Sequence, residues 1–101
     1  MTKGPLAAVS VALLAASNFA AAGDAAAGKA RYVLCAGCHG PDGAGNAALN
    51  YPALAGRDAA YIVEQLRAFR SGARSNATMR AMAAGLNPRD MENLAAYIET
   101  L

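Results

Sequence analysis

The sequence predicts an all-α domain, and three stretches carry that prediction. Residues 24–36 are rich in alanine and hold no proline. Between Asp58 and Ser71, the apolar residues Ile62, Leu66 and Phe69 recur at i, i+4 and i+7, the spacing of one helix face. Met91, Leu94, Ala95, Ile98 and Leu101 draw a similar stripe near the C-terminal end. No βαβ pattern, internal repeat or second domain accompanies them.

The first helix is expected from Asp24 to about Ala36, with Tyr32, Val33 and Ala36 facing inward. Gly28 weakens that helix. Close approach of another helix is a physical reason for a residue without a side chain there. Residues 37–56 read as a loop, because Gly40-Pro41-Asp42-Gly43-Ala44-Gly45-Asn46 is dense in turn formers. It lacks the G-K-[ST] ending of a phosphate loop. The next helix takes Asp58 as N-cap and Gly72 as the residue past its end. Tyr61 lies beside its apolar stripe, and Glu64, Arg67 and Arg70 form a solvated face. Residues 72–85 are expected as a second loop with a short helical turn. Asn87-Pro88-Arg89-Asp90 then opens the last helix with a cap, a proline at the first position and an acid in the first turn. Tyr97 sits next to its buried stripe.

Residues 1–22 have the order of an export signal. A lysine at position 3 precedes the apolar run Leu6–Ala16, and Ala20-Ala21-Ala22 offers small residues for cleavage before Gly23. The alternative is a retained anchor, since the stretch from Gly4 to Gly23 is uncharged and about long enough to span a bilayer. Cleavage leaves residues 23–101 as one domain, small for building a core unaided.

Chemistry concentrates in Cys35-Ala36-Gly37-Cys38-His39, which uses both cysteines and the one histidine of the chain. This C-x-x-C-H pattern is the attachment motif of c-type haem. Two thiols add across the two vinyl groups on one porphyrin edge, and helical spacing of three and four residues brings Cys35, Cys38 and His39 to one ligand. A structural zinc site needs four protein ligands, and only three are here. A thioredoxin-like disulfide needs a βαβ context that is missing. Both cysteines are therefore committed to one haem c, held through two thioethers, with His39 on the iron. The sixth iron position has no second histidine to fill it, and methionine is the alternative. Met1 lies in the export signal and Met91 in the apolar stripe of the last helix. Met79 and Met82 remain, and spacing alone does not choose between them.

Residues 23–101 carry eight basic and seven acidic side chains, a formal charge of +1 that two haem propionates would offset. No basic run interleaved with aromatics is present, so no nucleic-acid partner is expected. Electrostatic docking has to come from local patches.

Further segments give the chain a family resemblance. They are Gly23-Asp24 ahead of the first helix, Gly40, Asp42-Gly43, Tyr51-Pro52-Ala53-Leu54-Ala55-Gly56, Tyr61–Leu66, Met79, and Leu94-Ala95-Ala96-Tyr97-Ile98. With the haem motif they occur in the order of a small class I cytochrome c, and the chain resembles the cytochrome c553 and cytochrome c4-domain group. The resemblance implies the class I fold, with helices and loops wrapped around one haem. It implies Met79 as the second ligand, seven residues before Leu86, and the Pro52 carbonyl as the hydrogen-bond partner of His39. It also implies contact between the first and last helices, around Gly28, Leu94 and Tyr97. The function it implies is periplasmic: one electron shuttled between redox proteins, including membrane oxidase or reductase complexes. Such a protein is not an enzyme, takes no small-molecule substrate and is a monomer or weak dimer. The alternatives are a haem subunit of a larger oxidoreductase, or a haem sensor or enzyme with a labile sixth ligand.

Overall fold

The computed structural model describes residues 23–101, and the expected export signal at 1–22 lies outside them. Four α-helices appear in order: α1 (Ala25–His39), α2 (Ala59–Ser71), α3 (Ala77–Ala84) and α4 (Pro88–Ile98). A single 3-10 turn, Ala47–Leu49, interrupts the long link between α1 and α2. Among the described residues there is no strand, only an isolated bridge between Asn46 and Tyr51.

The packing of α1 against α4 is the most extensive, and small residues make it possible. A Cβ on Gly28 would overlap the Asn93 carbonyl, and one on Gly23 would overlap that of Glu92. Glycine is required because two backbones meet there, which is the close approach expected at Gly28. Polar contacts fix the pair. Asp24 caps α1 by accepting from Ala26 N–H at 2.9 Å and Ala27 N–H at 3.2 Å. The Asp24 N–H donates to Asn93 Oδ1 at 2.8 Å. Arg31 Nε pairs with Asp90 Oδ1 at 3.0 Å, and the other oxygen of Asp90 accepts from the Asn87 N–H. Asn87 and Asp90 thereby form a reciprocal capping box at the start of α4.

The core gathers Tyr32, Ile62, Leu86, Met91, Leu94, Ala95 and Ile98, with Leu66, Tyr97 and Leu101 packed against it. The apolar stripes of α2 and α4 are therefore the buried ones. Val33 is not part of this core: it is 74% exposed, because α1 turns its Tyr32 side to α4 and Val33, a residue further on, points away from that interface.

Other expectations need correction. The loop expected from residue 37 begins only at Gly40, since α1 runs through Cys38 and His39. The short turn expected in 72–85 is an eight-residue helix, α3, capped by the Asn76 side chain. Asp58 holds the N-cap position of α2 as expected, though its side chain makes no cap bond. A distant carboxylate substitutes for it, as Ala59 N–H donates to Glu99 Oε2 at 2.9 Å. Arg70 also does more than decorate a solvated face, for its Nη1 donates to the Leu86 carbonyl at 2.6 Å and ties α2 to the link before α4.

Candidate haem-binding site

Cys35, Cys38 and His39 occupy the last turn and a half of α1. Continuation of the helix to His39 holds their three- and four-residue spacing on one face. Both cysteines are free thiols; Cys35 is half-buried and Cys38 exposed. Burial pushes the Cys35 thiol above its ordinary pKa.

His39 is the buried polar residue at the end of α1, only 8% exposed. Its Nδ1 lies 2.8 Å from the Pro52 carbonyl. A proline carbonyl can only accept, so Nδ1 carries the proton. The other ring nitrogen, Nε2, has no hydrogen-bond partner among the described residues. A buried imidazole with one nitrogen anchored and the other left without a partner is the arrangement of a metal-ligating histidine. The pairing of His39 with Pro52 is the one the family resemblance implies.

The glycine-dense loop makes this pairing possible. Gly40 leaves the helix at φ 88° while its N–H still bonds to Ala36. Gly45, at φ 71°, donates its N–H to the His39 carbonyl at 2.8 Å. A Cβ on Gly45 would come within 2.7 Å of Ala53 N and the Pro52 carbonyl carbon. The chain thus passes close beside its own 51–53 segment, and this close approach brings Pro52 to the imidazole. Leu54 and Ala55 N–H both bond to the Gly43 carbonyl, closing the loop on itself.

Tyr32 supports the same corner, a role its position in the apolar pattern did not announce. Its hydroxyl donates to the Gly40 carbonyl at 2.7 Å, directly after His39. Its ring meets that of Tyr97 at 5.3 Å between centroids. Burial, with smaller contributions from Cys35, Tyr97 and Asp42, pushes the Tyr32 phenol above its ordinary pKa.

Both candidate methionines lie on α3. Met79 is half-buried, and its N–H is capped by Asn76 Oδ1 at 2.9 Å. Met82 is 37% exposed, whereas Met91, at 1%, is a core residue as its stripe predicts. A cleft of about 670 Å³ between α2 and α4 is lined by groups such as Val63, Glu64, Arg67 and Glu99. No cysteine, His39 or methionine contributes to it, so it is separate from this chemistry.

Two free thiols one turn apart and a buried imidazole with an orphaned nitrogen fit a c-type haem. The fold and the site together define a c-type cytochrome. The Cytochrome c family profile matches residues 25–101, and the chain belongs to that family. Its prosthetic group is accordingly covalently attached haem c. Among curated relatives, cytochrome c-554(548) of Halomonas halodenitrificans (strain ATCC 12084 / NCIMB 8669) is 44% identical over 79 residues, covering 75% of this chain and 94% of that protein. The thiosulfate dehydrogenase electron acceptor of Stutzerimonas stutzeri (strain A1501) is 49% identical over 69 residues, 68% of this chain but 32% of that protein. A second such acceptor, from Thiomonas intermedia (strain K12), is 42% identical over 93 residues, 92% of this chain and 43% of its own length. The chain therefore spans less than half the length of these two acceptors. Reduced cytochrome c4 from Pseudomonas stutzeri superposes with a TM-score of 0.73 at 36% identity, over 80% of this chain and 52% of that one. The architecture is the class I cytochrome c fold.

Proposed function

We propose that the protein is a single-haem electron carrier of the periplasm, exported by residues 1–22 and working as the domain 23–101. The buried His39 imidazole, anchored at Nδ1 by the Pro52 carbonyl, is the observation that carries this reading. Bound haem supplies one chemistry, the exchange of a single electron at iron. The protein's residues do the rest. The Cys35 and Cys38 sulfurs hold one edge of the porphyrin. His39 would offer Nε2 to the iron, and the hydrogen bond at Nδ1 would fix the ring and strengthen it as a ligand. Met79 would supply a thioether as the second protein ligand, which would favour the reduced state and raise the potential. The Asn76 cap fixes the backbone of α3 at Met79. With His39 and Met79 both holding the iron, no position would be left for a substrate, so the reading is a carrier and not an enzyme.

Support for a redox partner comes from the relatives named as electron acceptors of thiosulfate dehydrogenase. By analogy the donor here is a redox enzyme, met in brief encounters. No helix among the described residues is long and apolar enough to cross a membrane. In a mediator titration the haem-loaded protein should show one reversible one-electron transition, and the ferrous form should not respond to carbon monoxide. Ready carbon monoxide binding would point to a labile sixth ligand and so to a sensor or enzyme.

A further inference from the structure

The formal charge of +1 conceals a division. From Gln65 to Arg89 the chain carries Arg67, Arg70, Arg74, Arg80 and Arg89 and no carboxylate. The remainder of residues 23–101 holds three basic and seven acidic side chains, a net of −4. Arg67 belongs to the glutamate-lined cleft, beside Glu64, Glu92 and Glu99. Arg70 lies on α2, Arg74 on the turn between α2 and α3, and Arg80 on α3, while Arg89 opens α4. Arg74 lies back along α2, with Nη1 donating to Gln65 Oε1 at 2.7 Å and its guanidinium 4.6 Å from the Phe69 ring centre. The Arg80 guanidinium comes beside Gly72 at the end of α2. Arg70 reaches across to the Leu86 carbonyl.

These contacts hold the guanidinium groups without neutralising them. Among the described residues the ion pair is Arg31 with Asp90, and none of Arg70, Arg74, Arg80 or Arg89 takes part in one. Side chains already ordered lose less freedom on association. Charge divided between two regions orients an approaching partner even when the net charge is near zero.

We propose that the surface around Arg74 and Arg80, with Arg70 at its edge, docks a redox protein through a carboxylate-rich face of that partner. The inference rests on the electron-carrier reading. Arg80 directly follows Met79, so a partner seated there lies against the helix assigned the sixth ligand. An anionic membrane is the weaker match. Interfacial helices need a broad apolar face, and the exposed large apolar residue of this segment is Met82.

The test is the oxidation of ferrous, haem-loaded protein by hexacyanoferrate(III) and by tris(phenanthroline)cobalt(III), each taking one electron from iron. Ionic strength is raised from about 10 to about 150 mM, which shortens the screening length from about 30 to about 8 Å. The rate with the anion should fall several-fold, and the rate with the cation should not. Arg74→Gln with Arg80→Gln should flatten the anion's dependence. Arg74→Lys with Arg80→Lys should retain it, and so should Lys29→Gln. An anion rate that is flat or rising with salt, or unchanged in the double glutamine variant, overturns the proposal. Loss of binding to phosphatidylglycerol vesicles in that variant, with its anion rate intact, overturns it in favour of a membrane. Failure of both reagents to oxidise the protein instead overturns the carrier reading, and this inference with it.

Discussion

At the scale of the residue, the fold invests most in the corner around His39. Tyr32 is the least obvious contributor, and two results follow from its hydrogen bond to Gly40. Tyr32→Phe removes one buried bond and should cost about 1 kcal/mol of unfolding free energy, measured by denaturant titration of the haem-loaded protein. The phenol's pKa is raised in the fold, so the unfolded chain gives up this proton first as pH climbs past about 10. The stability tied to Tyr32 is present below that pH and drains away above it. Tyr32→Phe should therefore show a shallower alkaline loss than the parent; equal slopes would mean that the phenol does not titrate with unfolding. Cys35, Cys38 and His39 were legible in the sequence because covalent chemistry demands their spacing. The Pro52 carbonyl was reachable only through resemblance, since a main-chain acceptor leaves no mark on residue type. Tyr32 was legible as a core residue but its hydroxyl was not, because periodicity reports the burial of a ring and is blind to its polar tip.

At the scale of the element, the interface of α1 with α4 carries the strongest expectations. Gly28→Ala places a methyl group on the Asn93 carbonyl and should destabilise by about 2–3 kcal/mol, seen as a lowered Tm. Asn87→Ala opens the capping box and should cost about 1 kcal/mol; Asp90→Ala should cost more, because Arg31 loses its partner as well. The periodic stripes of α2 and α4 and the Asn87-Pro88 start of α4 could be read directly, as strong local signals. The extension of α1 through His39 and the full length of α3 could not. Glycine at 37 argued for a loop by propensity, yet the helix continues through it. The segment 77–84 has too few large apolar residues to announce a helix, and Asn76 supplies the cap that starts it. The Glu99 cap of α2 joins residues 40 apart in sequence, so no local pattern contains it.

At the scale of the whole molecule, one short helical chain folds so that its one histidine is buried with a single nitrogen anchored. Its net charge is small, and five of its seven arginines fall between Gln65 and Arg89. The class of fold was legible throughout, because the haem motif and the helical stripes agree. The division of charge was written in the sequence but acquires meaning only when α2 and α3 pack together. What neither the pattern nor the spacing decided is which methionine faces the iron. The direct test is the absorption spectrum of the haem-loaded protein in both oxidation states, compared with Met79→Ala and Met82→Ala. We expect a low-spin spectrum whose iron–methionine charge-transfer band survives in Met82→Ala and disappears in Met79→Ala. Survival of that band in Met79→Ala, or a high-spin spectrum in the parent protein, would contradict His39 and Met79 as the ligands of an electron carrier.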